Sequence, residues 1–282
     1  MKYSIRKNWL ATYELITKSR YVLMPFIMIA FFEALALELI YFASRPPLIY
    51  AFGPIVRKFF GEPYLHYPGN LAILPKLFYG AQTIIYVFFG ILLTAIAVNI
   101  VKNVRAGLPV KFKALINNGM RRYASFFSYA LAVTLIMVLL GKLDHFVVTK
   151  VYRFMVKATP GFPPEILAII SILFRFMSNI ILQAFIILAV PIMVIDNLSF
   201  VKSIGRSFVM ALKNFFTILR IILLPFLLYL PVLFLKGFAA EIAVKTFPEA
   251  EAIITLAGII AALFLDCFVM VSVTNFMLDK KE

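Results

Sequence analysis

Six apolar runs, at residues 21–43, 77–101, 123–143, 166–195, 217–235 and 252–278, constrain this chain more than any single motif. A helix needs ~20 residues to cross the ~30 Å hydrocarbon core of a bilayer, and each run is near or above that length. Lipid offers the backbone no hydrogen-bond partners, so such runs fold as helices that satisfy their own polar groups. The expectation is an all-α polytopic membrane protein with six transmembrane helices in one integral membrane domain, 1–282. Hydrophobic residues are 63% of the 282 and mean hydropathy is +0.97, more apolar surface than one soluble core could hide. The first run is too long for a secretory h-region and is read as a retained span.

Lys and Arg set the expected orientation. Lys2, Arg6, Lys7, Lys18 and Arg20, the segments around 102–122 and 202–213, and Lys280 and Lys281 all fall on one side and outnumber the basic residues of the other side. Positive residues stay cytoplasmic, which predicts cytoplasmic N- and C-termini. The net charge of +15 is accounted for by anionic headgroups beside the spans, with no role for nucleic acid.

The segment from Lys113 to Phe127 aligns without a gap with that from Lys202 to Phe216. Each reads as an amphipathic helix feeding a span. Phe112, Leu115, Ile116, Met120 and Tyr123 form one apolar stripe, and Val201, Ile204, Phe208, Ala211, Leu212 and Phe215 the other. Helices of this kind lie in the headgroup layer, which makes Lys113, Arg121, Arg122, Lys202, Arg206 and Lys213 the expected contacts to anionic lipid. A weaker copy around Trp9, Tyr13 and Ile16 precedes the first span. The chain thus divides into three expected units, 1–101, 102–195 and 196–282, each an inner interfacial helix followed by a transmembrane hairpin. On the opposite side, 50–60 and 143–156 read as further surface helices, and 46–47, 67–70 and 160–164 as turns.

Ionisable groups inside the spans mark the candidate site, because a charge at mid-membrane costs at least ~2.5–3.5 kcal/mol. These are Glu33, Glu38, Arg175, Arg220 and Asp266. Ser171, Arg175, Asn179 and Gln183 recur every four residues, giving the fourth helix a polar face that must look into the bundle or a wet cavity. The expected pairs are Glu33 with Arg175 and Arg220 with Asp266, with Glu38 open to water from outside. Soluble-enzyme motifs are absent from the sequence: no phosphate-binding glycine loop, no zinc-binding helix pair and no nucleophile elbow. Cys267 stands alone, which excludes an intrachain disulfide or a cysteine metal cage. The expectation is a non-enzyme without cofactor or metal.

Between Pro191 and Phe216, the order Pro191, Asp196, Ser199, Arg206-Ser207 and Lys213 resembles a group of six-helix bacterial membrane proteins. That group includes the membrane domain found ahead of glycerophosphodiester phosphodiesterase catalytic domains. The resembled pattern more often carries Glu where this chain has Asp196. The resemblance implies a six-helix fold and a bacterial inner-membrane setting, and implies no activity. Two functions follow from the sequence. One is a component that binds or helps move a lipid or small amphipathic ligand through a polar midplane cavity. The other is a non-catalytic accessory subunit whose apolar face meets a protein partner or a second copy.

Overall fold

The computed structural model describes residues 4–158 and 164–281. It is all-α, without strands among the described residues. Six helical stretches are long and apolar enough to cross a membrane: Arg20–Tyr41, Gly69–Arg105, Tyr123–Val151, Ile169–Ile195, Phe215–Gly237 and Ala250–Asp279.

In chain order the helices are α1 (Ile5–Lys18), α2 (Met24–Tyr41), α3 (Leu48–Phe59), α4 (Gly69–Ile85), α5 (Ile91–Arg105), α6 (Phe112–Arg121) and α7 (Tyr123–Ala158). They continue with α8 (Pro164–Ile186), α9 (Ala189–Ile195), α10 (Phe200–Lys213), α11 (Phe215–Gly237), α12 (Ala239–Lys245) and α13 (Ala250–Asp279). Tyr86–Gly90 joins α4 to α5 as one π-turn. Pro191 explains the break between α8 and α9: it lacks an N–H and its ring crowds the carbonyl of Ile187, where the helix parts. The helix expected at 50–60 forms as α3, whereas 143–156 is no separate element but the distal end of α7. The turn expected at 160–164 lies, but for Pro164, outside the described residues.

Helix α5 sits at the centre. Ile91, Ala95, Val98 and Ile100 are all at most 1% exposed, and α5 packs against α2, α6, α7, α9 and α13. Small residues permit this crowding. A Cβ at Gly119 of α6 would come within 2.8 Å of the Leu92 side-chain methyl, so glycine lets α6 lie this close to α5 without moving Leu92. Two residues past the end of α5, Gly107 has a φ of +68°, which suits a residue without Cβ; the N–H of Leu108 then reaches back to the Asn103 carbonyl at 2.9 Å.

Both terminal helices meet at one end of the bundle. Asn8 donates to the Ser272 carbonyl at 3.0 Å, and Thr12 accepts from Ser272 at 3.1 Å and from Asn275 at 3.2 Å, which pins α1 to α13. Arg105 pairs with Asp279 at 2.7 Å. Asp196, after α9, takes Arg206 of α10 at 2.7 Å and also Lys281. Arg122 donates to the carbonyls of Met193 and Leu198, each at 2.6 Å.

The helices preceding spans pack on the bundle with one face and leave much of the apolar stripe exposed. Helix α10 buries Ser203, Ser207 and Ala211, while Val201, Phe208 and Leu212 of its apolar stripe are largely exposed. Ser207 donates to the Phe185 carbonyl at 2.7 Å. Small residues allow the close helix contact, and the large apolar ones are left on the outer surface. Helix α6 follows this plan in part: Gly119 is buried and Ile116 and Met120 are exposed, but Leu115 of its apolar stripe is buried as well.

Candidate functional site

Midway along the bundle the helices leave a cavity of about 390 Å³. Every span contributes. Phe26, Ile29 and Glu33 come from α2; Tyr79, Gln82 and Thr83 from α4; Tyr86 from the π-turn; Tyr129, Val133, Thr134 and Met137 from α7; Gln183 and Ile186 from α8; Phe226 from α11; and Asp266, Val269 and Met270 from α13. Within each helix the lining positions recur every three or four residues, with adjacent pairs at Gln82–Thr83, Val133–Thr134 and Val269–Met270, so each helix turns one face to the space.

The π-turn shapes one wall. A π-bulge inserts a residue and re-aims the side chains that follow. Here Tyr86 packs over Gly90, where a Cβ would lie 3.0 Å from its ring, and Thr94 donates to the Gly90 carbonyl at 2.8 Å. Tyr129 is 3% exposed and fixed by a hydrogen bond from its hydroxyl to the Ile186 carbonyl at 3.1 Å. That bond spans α7 and α8 at the turn before α9 opens.

Two carboxylates face this space. Asp266 retains accessible surface although helices enclose it, because that surface opens into the cavity. Its charged neighbour is Glu33, and the hydroxyl of Tyr229 stands within electrostatic reach of both. Glu33 has the Gln82 amide beside it, and the cation acting on it is Lys236. Lys236 reaches inward because Gly258 leaves room: a Cβ there would lie 3.2 Å from the lysine stem.

The expected pairs do not form. Among the described residues no ion pair joins Glu33 to Arg175 or Asp266 to Arg220; both arginines are exposed. Helix geometry gives the reason. Arg175 lies eight residues before Gln183 on α8, or ~12 Å along the axis, so it sits far from the cavity level that Gln183 reaches. Arg220 is one turn into α11, close to the end carrying α10, whereas Asp266 is more than three turns from the end of α13. Of the polar stripe on α8, Gln183 lines the cavity; Asn179 instead donates to the Arg175 carbonyl at 2.9 Å, and Ser171 is only partly buried. Glu38 lies in a separate groove of about 490 Å³ with Glu249 and Tyr41, between α2 and α13.

Six basic residues were expected at anionic lipid. Lys113, Arg121, Lys202 and Lys213 are exposed. Arg122 and Arg206 are instead engaged with the protein itself, on the carbonyls and on Asp196. Tyr79, Gln82, Thr83, Tyr86, Thr94, Tyr129 and Thr134 are the polar lining residues that the sequence did not single out. Their only signal is polar character at helical spacing within a span, as in Gln82-Thr83 followed by Tyr86. No protein-family model, curated protein or solved structure matches the chain.

Proposed function

We propose that this protein is a multi-pass component of a bacterial inner membrane, with both termini cytoplasmic, that binds a small amphipathic ligand in its intramembrane cavity and helps to move it. The cavity carries this reading. Two carboxylates and two side-chain amides surround about 390 Å³ of space, and polar groups in hydrocarbon persist where a ligand or water answers them. Pockets of that order, mostly apolar with a few convergent polar groups, suit small molecules. Interruptions in the helix wall at Tyr86–Gly90 and after Ile186 belong where irregular backbone borders a cavity.

The three-unit plan supports the same picture. Helices α1, α6 and α10 each precede a span, and each leaves large apolar side chains exposed. Lying in the headgroup layer, they would set those side chains among acyl chains and Lys113, Arg121, Lys202 and Lys213 beside anionic phosphates. The excess of Lys and Arg at the end shared by α1 and the end of α13 supports its cytoplasmic placement.

Thiol labelling tests the cavity. In a Cys267→Ser background, Gln183→Cys and Ile180→Cys are compared for reaction with a small water-soluble thiol reagent in intact membranes. The cavity reading expects Gln183→Cys to react at least about tenfold faster than the fully packed Ile180→Cys, because only the former meets water. Equally slow reaction at both would mean a dry core and favour the accessory-subunit reading.

A further inference from the structure

We propose that the ligand of the intramembrane cavity is an organic cation, an ammonium group joined to an apolar body, with Asp266 as its counter-charge. This rests on the cavity reading above and adds the chemical class of the ligand. Among the described residues no Lys or Arg lines the cavity, whereas Glu33 and Asp266 both do. Lys236 acts on Glu33. Among the described residues, no Lys or Arg comes within ion-pair distance of Asp266. The cavity is therefore left with one carboxylate that the protein does not answer.

An anionic headgroup would face two carboxylates with no cation in the wall, in surroundings where charges act strongly on one another. A bare metal ion needs several oxygen or nitrogen ligands, and among the described residues no cluster of three or more His, Cys, Asp or Glu could hold one. An ammonium group fits on three counts. Asp266 supplies the charge. Tyr79, Tyr86 and Tyr129 supply ring faces that attract cations. Gln183 supplies a carbonyl oxygen, whose partial negative charge attracts a cation whether or not it carries an N–H. The remaining wall is aliphatic and takes the apolar body.

The test uses the full chain in nanodiscs of uncharged phosphatidylcholine, with empty nanodiscs subtracted. Three probes share one shape class: benzyltrimethylammonium, its uncharged analogue neopentylbenzene, and benzenesulfonate. The proposal expects saturable binding of the cation alone. It also expects Asp266→Asn to weaken that binding at least about tenfold, the cost of removing one partner of an enclosed charge pair, and Glu33→Gln to weaken it less. Folding of each variant is checked by gel filtration and thermal melting, and the selectivity among the three probes on wild type stands independently of any variant. If neopentylbenzene or benzenesulfonate binds as well as the cation, or Asp266→Asn folds and binds it unchanged, the cation is the wrong class while the cavity reading stands. If none of the three binds wild type, the proposal falls, and the thiol labelling of Gln183→Cys decides separately whether the cavity reading falls with it.

Discussion

Arg121 and Arg122 are neighbours of identical chemistry, and the structure assigns them opposite consequences. Arg122 bridges the corner between α6 and α7 to the turn after α9, with bonds of 2.6 Å to the Met193 and Leu198 carbonyls. Met193 is in the last turn of α9, where carbonyls lack helical partners. Leu198 lies beyond the left-handed turn at Asn197, whose φ is 57°, so one guanidinium can serve both. Its charge also complements the negative end of the α9 dipole. A hydrogen bond to a charged group contributes ~1.5–3 kcal/mol; Arg122 is half-buried, so water recovers part of two such bonds. Arg122→Ala should then cost ~2–4 kcal/mol and lower Tm by about 4–8 °C at ~2 °C per kcal/mol.

Arg121, exposed on the same corner, should change stability by no more than ~0.5 kcal/mol when replaced by alanine. Its removal should instead reduce retained anionic lipid by about fivefold in affinity, the equivalent of ~1 kcal/mol for a basic residue at the membrane surface. Arg122→Lys separates charge from geometry, because an ammonium is a point charge without the planar fork that spans two carbonyls. It should recover at most about half of the loss. Thermal melting of the purified protein reads stability, and mass spectrometry of co-purified phosphatidylglycerol reads the lipid. Equal Tm shifts for Arg121→Ala and Arg122→Ala, or a lysine variant that melts like wild type, would refute the clamp and return Arg122 to the headgroup layer.

Two further outcomes bear on other parts of the fold. Ser207→Leu should destabilise by ~1–3 kcal/mol, because a larger side chain must fit between α10 and α8 and the bond to Phe185 is lost, while Val209→Leu, on the exposed face, should stay within ~0.5 kcal/mol; the reverse order in a melting experiment would mean that α10 turns its large residues inward. Tyr67 donates to Glu249 at 3.1 Å, and that hydrogen bond, aided by the carboxylate charge, raises its pKa above the usual 10.0. The bond is complete below pH 10.0 and is lost as pH rises through the raised value, so Glu249→Gln should move the Tyr67 titration, followed by NMR of ring-labelled tyrosine, down toward 10.0; an unmoved titration would show the bond to be absent in solution.

The spans were legible because hydrocarbon imposes one rule on all of them: an apolar run of sufficient length has no alternative to a helix. Three of the cavity's polar residues, Glu33, Gln183 and Asp266, were legible for a related reason, since groups so costly in lipid must turn away from it. Their partners were not. Partner choice depends on depth, and depth cannot be counted from the start of a run when helices differ in length as much as Arg20–Tyr41, with 22 residues, and Gly69–Arg105, with 37. Counted from residue 166, Arg175 lies about ten residues, or ~15 Å, into its run and so near the midplane; the structure puts Gln183, two turns further along α8, at the cavity instead. Lys236 lies just past the apolar run 217–235, yet the last turn of α11 brings it to bear on Glu33.

The inner helices raise a question of packing rather than of depth. Their periodicity correctly separates a face of large apolar residues from the rest, but in a membrane protein that face has two possible destinations, the core and the lipid. Packing chooses between them by size. Ser203, Ser207 and Ala211 let α10 approach the bundle closely, and dispersion between well-packed helices outweighs what Val201, Phe208 and Leu212 would gain by exchanging lipid for protein, because acyl chains are as apolar as a core. Small residues at i, i+4 and i+8 are therefore the inward signal in such a helix, and large ones mark the surface it shows to the bilayer.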